Sequence, residues 1–323
     1  MTAAKAIAML AAVLAVCGAT EARAANVYWK DGVAGDWSTP TNWEGNALPV
    51  AGEWPRINDG GSVQITSDVN LPGSNIWTQN TDWSILQTAG IVNARSLYLS
   101  NPKAGPNGIY RLEGGELNLT YWMNLAWNNT SNAVGHFVQA GGSVSVPNVG
   151  MCIKSSTQEA YYDLEDGTFT AGNLYVGRSG ANQTAVFTQT DGMAFLSGGM
   201  TLGTVAGTTG QSIYNLDGGE LTIAGGTPFT FTQPGAPAYF DFDGGVLNLL
   251  GDWDFAKLTA IADSDFRVAG VAATAGDLAF TPVVIGDRDF TAISAVDDII
   301  PEPATLSLRG LGALALLRRR RRR

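Results

Sequence analysis

The sequence predicts an all-β protein, a β-solenoid of about seven coils with N- and C-terminal caps. Two observations support this fold: a glycine turn that recurs about every 26 residues, and an aromatic residue five positions before most of those turns. Between the two ends of the chain, no long apolar segment has the 3.6-residue period of a helix. A β-sandwich or jelly roll is the alternative, because its strands also alternate apolar and polar residues.

Each repeat is predicted to hold two strands around a glycine turn, followed by a third short strand. The turn glycines recur at a nearly constant spacing along the chain: Gly90, Gly115, Gly142, Gly167, Gly192, Gly219 and Gly245. The aromatic residues that precede all but the first are Tyr110, Phe137, Tyr162, Phe187, Tyr214 and Phe240. Apolar residues recur two and four positions after the glycine, as expected for a strand with one buried face. Each glycine is expected where the backbone needs positive φ or where no space remains for a Cβ atom.

The repeat pattern, aromatic–x–Leu–x–Gly–Gly–x–Leu–x–Val, resembles the autotransporter-associated and PEP-CTERM-linked β-helix repeats. The resemblance covers about residues 80–250, which we assign to the solenoid. It implies a right-handed parallel β-helix that serves as a surface stalk or adhesive scaffold.

A tryptophan-rich segment, residues 25–79, precedes the repeats and is expected to form an N-terminal cap. Solenoids need caps because the open end of the first coil would otherwise expose its apolar core. The alternative is an exposed aromatic cluster that stacks on sugar rings, with Trp37 and Trp43 as the candidate residues. Residues 251–300, which contain several aromatic side chains, are expected to form the matching C-terminal cap.

Residues 1–24 have the three parts of a secretory signal peptide. Lys5 provides a positive charge, an apolar run from Ala6 to Val16 follows, and Ala22 and Ala24 are the small residues that a signal peptidase requires. The run is too short to span a bilayer, which takes about 20 residues. We therefore expect export by the Sec machinery and cleavage after Ala24.

Residues 301–323 combine Pro301-Glu302-Pro303, an apolar stretch interrupted by Arg309, and six consecutive arginines. This order resembles the PEP-CTERM sorting signal of Gram-negative bacteria. The resemblance implies recognition at Pro301, Glu302 and Pro303 by an exosortase-type membrane peptidase, with transient association of the tail with the inner membrane. A disordered or nucleic-acid-binding tail is the alternative explanation of the arginines, but it leaves the Pro-Glu-Pro and the apolar stretch unexplained.

The body between these two ends, residues 25–300, is strongly acidic, with 10 Lys and Arg against 27 Asp and Glu. A net charge of −17 disfavours nucleic acid and anionic membranes as partners. Acidic residues recur beside the glycine turns and are expected to form a solvated edge, with shared Ca²⁺ as a weaker alternative: Glu113, Glu165, Asp166, Asp191, Asp217 and Asp243. Cys152 is the only cysteine of the body and is predicted to be a small buried apolar residue.

These observations predict an exported, exosortase-processed structural protein of the cell envelope, outer surface or extracellular matrix. A carbohydrate-binding or adhesive module that contacts extracellular polysaccharide is the second hypothesis. A polysaccharide lyase or hydrolase is the third, and it is disfavoured because the basic residues of the repeats share no register and no acid–base pair stands out. No cofactor is expected.

Overall fold

The computed structural model describes residues 25–57, 60–78, 83–100, 107–127, 132–153, 157–178, 183–203, 210–232 and 237–296. These residues form a parallel β-solenoid of about eight turns, which confirms the predicted parallel β-helix. Equivalent strands of successive coils pair side by side and build three stacks, so the three strands predicted for each repeat are also found.

The strands divide among the three stacks as follows. Stack 1 contains β2 (Ala34–Asp36), β4 (Ser62–Ile65), β6 (Trp83–Gln87), β8 (Asn107–Leu112), β12 (Thr184–Gln189), β15 (Gln211–Leu216), β18 (Ala238–Phe242) and β20 (Phe266–Val268). Stack 2 contains β13 (Met193–Leu196), β16 (Glu220–Ile223) and β19 (Val246–Leu250), and stack 3 contains β1 (Asn26–Tyr28), β3 (Trp54–Ile57), β14 (Met200–Leu202) and β17 (Phe229–Phe231). Long strands join the stacks: β5 (Val69–Thr78), β7 (Ile91–Leu99) and β9 (Glu116–Leu125) run from stack 2 into stack 3, and β10 (Val134–Met151) and β11 (Glu159–Val176) pass through all three.

The solenoid begins earlier than the sequence predicted, within residues 25–79. β1 and β2 pair in parallel with β3 and β4, which in turn pair in parallel with β5 and β6. This ladder moves the start of the coils from residue 80 back to Asn26 and raises their number from about seven to about eight. Two short 3-10 helices, Pro40–Asn42 and Glu44–Asn46, follow β2 and flank the fully buried Trp43.

The other end of the solenoid is closed by antiparallel strands, within the segment for which a C-terminal cap is expected. β20 is followed by β21 (Val271–Ala272), which pairs with it in antiparallel fashion. A helical turn, α1 (Phe255–Thr259), precedes them, and a hairpin of β22 (Leu278–Ile285) and β23 (Arg288–Ala295) follows. β23 pairs antiparallel with β19, so the hairpin covers the free edge of stack 2 and blocks pairing with another chain there.

The aromatic residues predicted from the repeat form one buried ladder inside stack 1. The centroids of successive rings are 4.4–5.1 Å apart and their planes are within 27° of parallel, from Tyr110 to Phe240. All six side chains are fully buried. Stacked rings add about 0.5–1.5 kcal/mol per pair beyond the area that they bury. The ladder therefore stabilises the contact between each coil and the next.

A polar contact recurs beside the ladder at every second coil. The hydroxyl groups of Tyr110, Tyr162 and Tyr214 donate to Oε1 of Gln87, Gln139 and Gln189 at 2.6, 2.7 and 2.7 Å. Each glutamine belongs to the coil before its tyrosine, and its Nε2 donates to one carbonyl in its own coil and one in the next. Burial raises the pKa of all three tyrosines, so their hydroxyls stay protonated as donors. We call each such contact a Tyr–Gln clamp.

The turn glycines lie above one another in a column between stacks 1 and 2. All seven have positive φ, between 67° and 92°. A Cβ atom on Gly142 would lie 2.6 Å from the carbonyl oxygen of Gly115 in the coil before it. Both reasons for glycine that the sequence suggested, positive φ and lack of space for Cβ, are therefore confirmed here.

Candidate functional site

The tryptophans of the N-terminal segment pack into the core. Trp29 and Trp43 are fully buried and Trp37 is 4% exposed. The ring of Trp43 meets those of Trp29 and Trp37 edge to face at 5.0 and 4.7 Å, and its Nε1 donates to the carbonyl of Trp37 at 2.9 Å. The structure therefore corrects the sugar-stacking hypothesis for Trp37 and Trp43, because neither ring has a free face for a ligand.

A different set of aromatic side chains lies partly exposed on the outer side of stack 3. Along strands β5 and β7, Ile76 and Leu97 point into the core, whereas Trp77 and Tyr98 alternate outward. We define the aromatic face as the outward aromatic residues of this stack and its corners: Trp54, Trp77, Tyr98, Tyr121, Trp122, Trp127 and Tyr175. The prediction from the sequence missed this face because it located the third strand of each repeat from its buried apolar residues alone. The residues that alternate with them, such as Tyr98 and Tyr175, are aromatic, and this pattern could have indicated the face.

The rings of the aromatic face contact one another along the solenoid. Trp77 is stacked between Trp54 at 6.0 Å and Tyr98 at 4.3 Å, measured between ring centroids. Further along, Trp122 stacks against Tyr175 at 5.8 Å. Because stacked rings cover each other's faces, they present their edges to solvent. Ring edges carry partial positive charge, so the face favours anions more than a row of free ring faces would.

Three arginines lie on these rings. The Arg56 guanidinium is 4.7 Å from the centroid of Trp77, that of Arg95 is 4.9 Å from Tyr121, and that of Arg178 is 4.8 Å from Trp122. These are cation–π distances. Within the part of the chain that the structure describes, none of the three forms an ion pair with a carboxylate, whereas Arg111 and Arg267 do. The charge of the three arginines is therefore not neutralised by neighbouring side chains.

The strands of stack 3 contrast with the rest of this acidic body. None of the residues assigned to this stack in β1, β3, β14 and β17, or in the stack 3 portions of β5, β7, β9, β10 and β11, is Asp or Glu. Among the described residues, buried polar atoms without a hydrogen-bond partner include three from this stack, Oδ1 of Asn75, Nε1 of Trp77 and Oδ1 of Asn124. Such atoms are costly to leave unpaired, and water or a ligand that reached them would relieve this cost.

The acidic residues predicted beside the turns lie at the opposite corner, between stacks 1 and 2. Arg111 bridges two of them across two coils, at 2.9 Å from Glu113 and 3.6 Å from Glu165. Asp166 and Asp191 accept hydrogen bonds from the backbone N–H groups of the glycines that follow them. In the described residues, no group of three or more His, Cys, Asp or Glu side chains is placed to hold a metal ion.

His136 and Cys152, the two remaining candidates for a chemical role, lie in environments that favour a structural role. Nε2 of His136 is 2.6 Å from Oδ2 of Asp163 in the next coil, on the outer side of stack 1. Cys152 is fully buried, as predicted, and burial raises the pKa of its thiol well above the usual value. A protonated, inaccessible thiol is a poor nucleophile.

Glu220 is partly buried on the outer side of stack 2, and this burial predicts how the stability of the fold changes with pH. Burial raises the pKa of its carboxyl, although hydrogen bonds from Asn248 and Thr222 partly oppose this shift. The folded state therefore holds the proton to higher pH than the unfolded chain, and stability falls as pH rises from about 4.5 through the raised pKa. We expect Glu220→Gln to be more stable than the wild type at pH 7, with a smaller difference near pH 4. Urea denaturation at both pH values checks this, and a difference that grows toward low pH would contradict it.

Comparisons of the chain with protein-family models, curated proteins and solved structures find no match. The predicted processing residues Ala22, Ala24, Pro301, Glu302 and Pro303 lie outside the described residues. The described part of the chain contains no helix that is long and apolar enough to cross a membrane.

Proposed function

We propose that the protein is an exported structural solenoid that acts as a stiff spacer at the cell surface or in the extracellular matrix. The observation that carries this proposal is the uninterrupted parallel ladder of stack 1, which runs from β2 to β20 and is reinforced by the aromatic ladder and the Tyr–Gln clamps. Its backbone hydrogen bonds run along the axis of the rod. About eight turns at roughly 4.8 Å each give a length of about 40 Å.

Export is supported by the sequence at the two ends of the chain. The signal-peptide pattern of residues 1–24 favours passage through the Sec machinery, and residues 301–323 resemble a PEP-CTERM signal. In this proposal an exosortase-type peptidase removes the tail after transient association with the inner membrane. The acidic body then remains soluble outside the cell or attached to its surface.

Mass spectrometry of the termini, with fractionation of the native cell, tests this proposal. We expect a mature chain that begins at Ala25, ends at or near Pro301-Glu302-Pro303, and is found in the envelope or extracellular fraction. A variant with alanine at all three positions should keep its tail, whereas Ser307→Ala, a substitution of similar size outside the motif, should be processed normally. An intact chain of 323 residues in the cytoplasm would refute the proposal.

A further inference from the structure

The aromatic face combines rings, cations and amides on one side of a rod that is otherwise acidic. We propose that this face binds an anionic polysaccharide built from uronic acids, which lies along the axis of the solenoid. The inference deepens the proposed structural role and rests on it, because such a polymer would meet the protein outside the cell.

The charge of the ligand follows from the arginines. Arg56, Arg95 and Arg178 are held against rings and, within the described residues, have no carboxylate partner. A guanidinium group binds a carboxylate through parallel hydrogen bonds, and the pair is strengthened where rings displace water. The positive edges of the stacked rings add to this preference. A neutral glycan would leave these charges unused.

The extended shape of the ligand follows from where the arginines lie. Arg56 is in β3, Arg95 is at the corner within β7, and Arg178 follows β11, so the three belong to different coils along the rod. A small anion would contact only one of them, whereas a polymer with regularly spaced carboxylates could contact all three. Hydroxyl groups of the sugars would find hydrogen-bonding partners in the tyrosines, and burial raises the pKa of Tyr98 so that its phenol stays a donor.

A polysaccharide fits this face better than a nucleic acid does. The body carries a net charge of −17, so either polymer would be confined to the aromatic face and net charge does not distinguish the two. The acidic corner between stacks 1 and 2 is not part of stack 3, so a polymer on the aromatic face avoids it. In addition, the stacked rings leave few free faces for bases, which single-stranded nucleic acids need.

Binding of the full-length protein to polygalacturonate tests the inference, with dextran as the neutral polymer and oligo(dT) as the nucleic acid. We expect binding to polygalacturonate that weakens with added salt, and much weaker binding to the other two. Arg178→Gln should reduce the affinity about tenfold, and adding Arg95→Gln should reduce it further. Arg111→Gln removes the same charge from the acidic corner and should bind about as well as the wild type.

A second pair of variants tests the contribution of the rings to binding separately from that of the charges. Tyr121 is 47% exposed on the aromatic face and Phe195 is 40% exposed on stack 2, so both can be replaced by alanine with little effect on folding. Only Tyr121→Ala should weaken binding to polygalacturonate. Equal binding to dextran, tighter binding to oligo(dT), or unchanged affinity in Arg95→Gln/Arg178→Gln would overturn the inference. Because these assays use purified protein, their outcome is independent of the cellular location that tests the proposed function.

Discussion

Replacing Gly115 by alanine is expected to destabilise the solenoid by about 2–5 kcal/mol. Gly115 has φ of +83°, and an alanine in that left-handed region costs about 1–2 kcal/mol. Its Cβ atom would also collide with the carbonyl oxygen of Gly90 in the preceding coil. That oxygen accepts the backbone N–H of Glu116 at 2.9 Å, so it cannot move away without weakening the ladder.

Three other glycines separate the two causes. Gly73 has φ of +82° and open space around a Cβ position, so Gly73→Ala measures the cost of the backbone conformation alone. Gly114 lacks positive φ, but its Cβ would lie 2.6 Å from the Thr88 carbonyl oxygen, so Gly114→Ala measures the collision. Gly226 has neither constraint and should tolerate alanine. Urea denaturation should therefore rank Gly115→Ala as the most destabilised of the four, and a cost no larger than that of Gly73→Ala would contradict the argument.

The glycine column also explains why the fold could be predicted from the sequence. A coil can stack on its neighbour only if the turn between stacks 1 and 2 stays free of side chains, so glycine recurs at this position with the period of the coil. The buried ring five residues earlier recurs for a similar reason, because Tyr162 and Phe187 must fill the same volume in adjacent coils. Steric constraints of this kind leave few residue choices, and the period in the sequence records them.

The first coils could not be recognised in this way. β1 to β5 are held by the same parallel ladder as the later coils, but backbone hydrogen bonds place no demand on side chains. The ring ladder does not reach this part of stack 1, where the buried residues are aliphatic, such as Val63 and Ile85. The tryptophans were misleading for a related reason. The sequence shows that Trp37 and Trp43 are close along the chain. Only the fold shows that Trp29 packs against Trp43, so that the ring is covered and cannot bind a ligand.

The aromatic face as a whole could not be predicted from the sequence. Its members come from five coils and occupy different positions in the repeat, so no single period connects Trp54, Trp122 and Tyr175. The sequence could show that outward aromatic residues exist, but the contacts of Arg178 with two rings arise only from the way the coils stack. Residues that serve the outer surface are free of the steric demand that keeps the core in register, and their pattern is correspondingly irregular.

The Tyr–Gln clamp leads to the second large prediction, which concerns the coupling of two buried residues. Tyr162→Phe should cost about 1–3 kcal/mol, because it leaves the buried Oε1 of Gln139 without its donor. Gln139→Leu should cost a similar amount or more, because the Tyr162 hydroxyl then loses its acceptor and two carbonyl groups lose a donor. Neither cost depends on ionisation, since burial raises the pKa of Tyr162 far above neutral pH.

The double variant Gln139→Leu/Tyr162→Phe should recover much of this loss. It removes the buried hydroxyl and its acceptor together, and both new residues already occupy these positions in other coils of this chain, leucine at Leu164 and phenylalanine at Phe187. A double-mutant cycle in urea should therefore give a coupling energy of about 1–2 kcal/mol. Additive costs would show that the hydrogen bond does not link the two coils. The cycle of Gln139→Leu with Tyr214→Phe, a tyrosine three coils away whose hydroxyl donates to Gln189 instead, should give a value near zero and serves as the control.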